Sequence, residues 1–191
     1  MSAANNQQKA VSYTVMEEAP VAKFLFGDIR LSWLWLIVRL YLGYEWVLAG
    51  WEKITNPAWV GAKAGTGLTG FIANALKQTS GAHPAVQTWY AWFLQTFVQP
   101  ALPVWSYVIS FGEFLVGVGL ILGIFTGIAA FFGGFMNVNY LLAGTVSTNP
   151  FMFVFATWLV MAWKTAGWIG VDHWLLPLLG TPLAPGKLVR K

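Results

Sequence analysis

The sequence contains no cysteine. That excludes a disulfide framework, a redox-active dithiol, an iron–sulfur cluster and a thiolate-bound metal. Charge is scarce too. Only 9% of the 191 residues are Asp, Glu, Lys or Arg, against ~25% in soluble domains, so an ordinary water-facing surface is missing. The two histidines, His83 and His173, stand far apart with no ligand spacing around them. That inventory points to no tightly bound cofactor, neither metal nor haem. The net charge of +4 contains no basic block and no interleaved basic and aromatic motif, which argues against nucleic acid as a partner. Residues 1–27 lack the charged start, short apolar run and small-residue cleavage site of a signal peptide in that order. The first apolar segment is therefore expected to be retained.

What is plentiful is apolar and aromatic: 57% hydrophobic residues, with 12 Trp and 14 Phe. This composition predicts an all-α integral membrane protein of one domain. Four segments approach the ~20-residue apolar length that a spanning helix needs: 31–53, 103–123, 126–144 and 150–169. Together they predict a four-transmembrane-helix bundle over 28–180, preceded by a polar, partly disordered segment at 1–27. A basic tail at 181–191 follows. The links between spans two, three and four are short. Between spans one and two, residues 54–102 hold two short amphipathic stretches, "GLTGFIANALK" and "VQTWYAWFLQTFVQP". These predict a helical cap on the membrane surface, because Trp and Tyr favour the lipid–water interface.

Lys9, Lys23, Arg30, Lys164, Lys187, Arg190 and Lys191 outnumber Lys53, Lys63 and Lys77 of the first long loop. The excess predicts both termini on the cytoplasmic side and the cap outside. No internal repeat is evident.

The first span, "LSWLWLIVRLYLGYEWVLAGWEK", carries four charges. Arg39, Trp46 and Lys53 are seven apart and share one face, with Gly43 and Gly50 on the stripe. Such a small-residue stripe admits close approach of a second helix. Glu45 and Glu52 form a separate stripe about 100° around the helix. Aligning the midpoints of spans one and two places Arg39, Glu45 and Glu113 within about 5 Å of one depth. Glu113 is thereby the expected partner of Arg39, and Glu45 is left as a second buried acid suited to proton transfer. In span three, Asn137 lies on a small-residue face, with Asn139 and Tyr140 nearer the outer surface.

Each of these has a plain structural alternative. Arg39 with Glu113 serves equally as a latch between helices, Lys53 as a headgroup anchor, and Asn137 as an interhelical hydrogen bond. Asn149 ahead of Pro150 reads as a helix cap. Asp172 and His173 read as a turn capping a surface helix, and His83 in "GAHP" as a loop residue.

Arg39 followed by Lys53 within "AGWEKITNP" resembles the first-helix signature of the DoxX/DoxD family. "GEFLVGVGLILGIFTGIAAFFG", led by Glu113, and the closing "AGWIGVDHWLLP" are similar to that family as well. "NPAWVGAKAGTGLTGF", "GAHP" and "NYLLAGTVSTNP" resemble a subgroup with an enlarged first outer loop. The resemblance covers about residues 30–177 and implies a four-helix bundle in a bacterial or archaeal cell membrane. It also implies the DoxD role, thiosulfate:quinone oxidoreductase, with quinone as substrate rather than bound cofactor. Many family members have apolar or small residues where Glu45 and Glu52 stand here.

With no relay of its own, such a protein would act by bringing a small sulfur anion and a membrane quinone together. On that reading Arg39 and Lys53 hold the anion or developing oxyanion, and Glu45, Glu113 or Glu52 supply protons. Trp46 and Trp51 flank the ring, and Asn137, Tyr140 and His83 complete the binding site. The alternative is a non-catalytic membrane subunit or scaffold of a respiratory complex. The expected partners are the bilayer, the quinone, the sulfur anion, and a small second subunit or a further copy of the chain.

Overall fold

The computed structural model describes residues 18–181. The polar stretch 1–17 and the tail from 182 onward lie outside the described residues, as do Lys9, Lys187, Arg190 and Lys191. A short α1 (Pro20–Ala22), a π turn (Lys23–Gly27) and a 3-10 turn (Ile29–Leu31) lead into α2 (Ser32–Ile54). The long loop carries α3 (Thr66–Lys77) and α4 (Thr88–Phe93). From α4 the chain continues through a π turn (Leu94–Val98) and a 3-10 turn (Gln99–Ala101) into α5 (Leu102–Leu122). Next come α6 (Thr126–Leu142), α7 (Asn149–Met161), α8 (Trp163–Ala166) and α9 (Asp172–Leu178). No strand occurs among the described residues.

Helices α2, α5 and α6 begin and end within two residues of the apolar segments 31–53, 103–123 and 126–144. The correspondence fails for the fourth segment, expected over 150–169. Helix α7 ends at Met161, Ala162 leaves helical geometry (φ −90°, ψ 15°), and only the single turn of α8 follows. Asn149 does not cap α7 either: it is the first residue of the helix, and its side chain turns inward.

Helix α2 packs along α5, and α6 along α7, with α5 against α6 and α2 against α7 closing the set. One core fills the middle, with Leu42 and Trp46 from α2, Leu120 from α5, Ala130 from α6, and Ala156 and Leu159 from α7. A second core belongs to the cap: Leu68 and Ile72 of α3 and Tyr90 and Leu94 of the α4 segment pack onto Leu102, Trp105 and Ile109 of α5. The cap is thus a packed helical layer closing one end of the helices. The α4–α5 run bends at Ala101 (φ −128°, ψ 37°), between Pro100 and Pro103, where missing backbone N–H groups break the ladder.

The outer faces are apolar. On α2, Trp33, Ile37, Tyr44 and Leu48 stand exposed on one stripe, and on α6 Phe131 and Phe135 do the same. Exposed apolar area on this scale marks contact with lipid or with another protein. The continuous stretch Thr88–Leu122 is by itself long and apolar enough to cross a membrane, and α7 is a shorter apolar helix. Helix α2 carries four charged residues and α6 has 17 residues.

Candidate functional site

Glycines set the register of α2 against α5. A Cβ on Gly50 would lie 2.4 Å from the backbone nitrogen of Phe114, and one on Gly117 would lie 2.4 Å from that of Val47. A Cβ on Gly43 would meet the Gly117 carbonyl at 3.0 Å. The two backbones touch where neither helix has a side chain, so the antiparallel alignment is fixed: residue 50 beside 114, residue 43 beside 117 to 121. Glu113 therefore faces the last turn of α2, not its middle.

That register overturns the expected pairing of Arg39 with Glu113. Lys53 Nζ instead donates to Glu113 Oε2 at 2.7 Å. The Tyr140 hydroxyl of α6 donates to the other carboxylate oxygen, Oε1. Glu113 is 1% exposed and the Lys53 side chain 20% exposed, so the ion pair runs from the rim of the protein into its interior. The ammonium also sits 5.3 Å from the centre of the Trp59 ring, a cation–π contact from the long loop. Trp59 is itself held through its carbonyl, which accepts from Ser106 Oγ at 2.6 Å. Ser110 donates to the Ser106 carbonyl at 2.8 Å. Around Tyr140 stand the rings of Trp46 (centroids 6.4 Å apart) and Phe71 of the cap (5.9 Å).

The result is a buried carboxylate with a cation on one oxygen and a phenol on the other, roofed by aromatic rings. The cation is flexible and partly wet. Breaking such a pair from one side costs roughly 3–5 kcal/mol, because the surviving charge is left without a partner.

Arg39 lies about two turns in from the start of α2 and is 1% exposed. Its Nη1 donates to the Ala166 carbonyl at 2.9 Å and its Nη2 to the Ile169 carbonyl at 2.6 Å. Both carbonyls lie at or just past the end of the α8 turn, where a helix leaves its last carbonyls without internal partners. Gly123 (φ +67°) and Gly170 make room for the guanidinium: a Cβ would stand 2.2 Å and 2.7 Å from Nη1 respectively. Asp172, expected to cap its own short helix, accepts instead from the backbone N–H groups of Phe125 (2.6 Å) and Thr126 (2.8 Å). It thereby closes the start of α6. Arg39 and Asp172 thus seal helix ends across three segments.

The remaining expected site residues divide. Asn137 is fully buried, and its Nδ2 donates to Asn149 Oδ1 at 2.9 Å, an α6–α7 tie. Asn137 Oδ1 and Trp46 Nε1 are buried without a partner among the described residues. Glu45 is half-buried on α2 and joins neither Arg39 nor Glu113; the shared layer of one cation and two acids does not form. Trp51 and Glu52 are exposed at the cap end of α2, Trp51 resting on Phe114. His83 is exposed in the cap loop and does not enter the cluster. Among the described residues, no three His, Cys, Asp or Glu side chains gather as a metal site would require.

Trp59, Phe71 and Ser106 were not singled out from the sequence, and Asp172 was given the wrong partner. A usable signal existed for the main pair, since matching Gly43 and Gly50 to Gly117 gives the register that brings Glu113 to Lys53. No curated protein and no solved structure matches the chain. The family model of DoxX matches residues 34–145, more than half of the sequence, from the first turn of α2 to just past the end of α6; the chain belongs to this membrane family.

Proposed function

We propose that the protein is a membrane oxidoreductase that passes electrons from a small sulfur anion of the thiosulfate type to membrane quinone at the Lys53–Glu113–Tyr140 cluster. Helices α2, α5, α6 and α7 cross the cell membrane on this reading. The α3–α4 cap lies outside, and the termini are cytoplasmic. The observation that carries it is the pairing of a partly wet cation with a buried carboxylate–phenol couple under aromatic rings. Lys53 attracts the anion. Tyr140 and Glu113 hand protons to the quinone oxygens, with Trp46 and Phe71 as walls for a flat ring. The chemistry balances without a protein-bound relay: two thiosulfate anions each give one electron and join through a new sulfur–sulfur bond, while the quinone takes two electrons and two protons. Arg39 and Glu45 have no part in this scheme.

One observation favours a second reading, a non-catalytic subunit of a redox complex: the charges of the cluster already satisfy each other, as in a structural tie. A single assay separates the two. Purified protein in detergent is given thiosulfate and a short-chain quinone, and quinone absorbance is followed. Reduction by the isolated chain is the expected result. Reduction only after a partner protein is added would establish the subunit reading instead.

A further inference from the structure

Among the described residues the buried polar side chains fall into two layers; between them stand the unpartnered indole nitrogen of Trp46 and the half-buried Glu45, which lies off the core stripe. At the cap end lie Glu113, Tyr140, Asn137 and Ser110, and at the opposite end Arg39, Thr126 and Asp172. Arg39 and Lys53 are fourteen residues apart on α2, a rise of about 21 Å. The α2 core stripe between them is Leu42, Gly43, Trp46 and Gly50, faced by fully buried Leu120, Ala130, Ala156 and Leu159. The helices there are in backbone contact at Gly50 and Gly117, and a Cβ on Gly133 would meet Trp46 Nε1 at 2.9 Å. That close approach leaves no width for a file of water along the seam. Arg39 does not bridge the gap, because its Nη1 and Nη2 donate to Ala166 and Ile169 on the side away from the cap.

Toward the cap the path is continuous: Lys53 at the rim, then Glu113, then the Tyr140 hydroxyl. Glu52 beside Lys53 and Tyr90 near Tyr140 are the other titratable groups close to it.

We infer that the Lys53–Glu113–Tyr140 site exchanges protons with the cap face alone, so that quinone reduction there moves no charge across the membrane. This rests on the proposed redox function for its second half only. Both electrons arrive on anions drawn to Lys53, and both protons reach the quinone from the same compartment through Glu113 and Tyr140. The bond made is between two thiosulfate sulfurs, and the oxidant is the quinone.

Because the chain has no cysteine, single-cysteine variants report access directly. Lys53→Cys and Tyr140→Cys are placed in sealed vesicles and treated from either side with a charged, membrane-impermeant thiol reagent. His83→Cys marks the cap face and Lys164→Cys the other. Labelling of both site variants about ten-fold or more faster from the His83 side is expected. Labelling of Tyr140→Cys from the Lys164 side, or from neither side, overturns the inference. Glu113→Cys replaces Tyr140→Cys if that variant does not fold.

In the same vesicles, turnover with thiosulfate and a short-chain quinone is followed with a potential-sensitive dye. Quinone reduction with no potential is expected, and a potential collapsed by an ionophore overturns electroneutrality. If no quinone is reduced, the redox reading falls, while the labelling still decides which face the site opens to.

Discussion

Helix α2 carries two different cations, Arg39 and Lys53. Arg39 is sheathed in protein, and its planar fork is bound to two backbone carbonyls at or just past the end of the α8 turn. Lys53 is a point charge on a flexible stem, partly wet and paired with a single carboxylate that a tyrosine also reaches. The acceptors of the first belong to the main chain and cannot leave, and Arg39 Nε is buried without a partner among the described residues. The second is built from three side chains, and the anion proposed as substrate would compete directly for its cation. The contrast is why we propose Lys53, Glu113 and Tyr140 for the chemistry and read Arg39 with Asp172 as a latch.

The severest test attacks what holds both ends in place. Gly50→Val puts side-chain atoms where the Phe114 backbone already stands. It is expected to cost about 3 kcal/mol or more and to appear as loss of folded protein on size-exclusion chromatography in detergent.

Glu113→Leu leaves Lys53 unpaired at the edge of the core and is expected to lower stability by roughly 3 kcal/mol. The double variant Lys53→Met with Glu113→Leu is expected to recover most of that loss in thermal unfolding while leaving no quinone reduction. Recovery of both would make the cap end a mere tie. Arg39→Lys keeps the charge but cannot span two carbonyls, and a loss of roughly 2 kcal/mol is expected. The pH dependence of turnover should be unchanged, and a shift in that profile would blur the division between the two ends.

Smaller still in stability, about 1 kcal/mol, is Tyr140→Phe, which removes one donor from Glu113. Its effect on quinone reduction is expected to be about 100-fold, so the two readouts part company at this residue. Glu45→Gln is expected to change stability by under about 0.5 kcal/mol and to leave turnover as it was.

Much of this was legible in the chain. The apolar runs marked α2, α5 and α6, and the Gly43–Gly50 stripe marked the seam that α5 fills. Glu113 and Tyr140 were visible as polar groups in apolar helices. The pairing was not visible, because placing spans by their midpoints assumes that helices of different length share a centre. The glycines shift α5 along α2 instead, and that shift hands Glu113 from Arg39 to Lys53. Glu45 drew attention for its charge, yet it lies off the buried stripe of Leu42, Trp46 and Gly50. The fourth segment ran on in sequence to residue 169 because hydropathy does not register a break such as the one at Ala162.

The sequence by itself determined the apolar class of the chain, the absence of thiol chemistry, the helices with their small-residue face, and the few charges that any function must use. Those are local properties, set by composition and by the period of one helix. Only the tertiary structure decided which charge meets which, since that depends on backbone contact between segments about sixty residues apart. The same contact decided that one cation of α2 is locked to the main chain and the other left within reach of water.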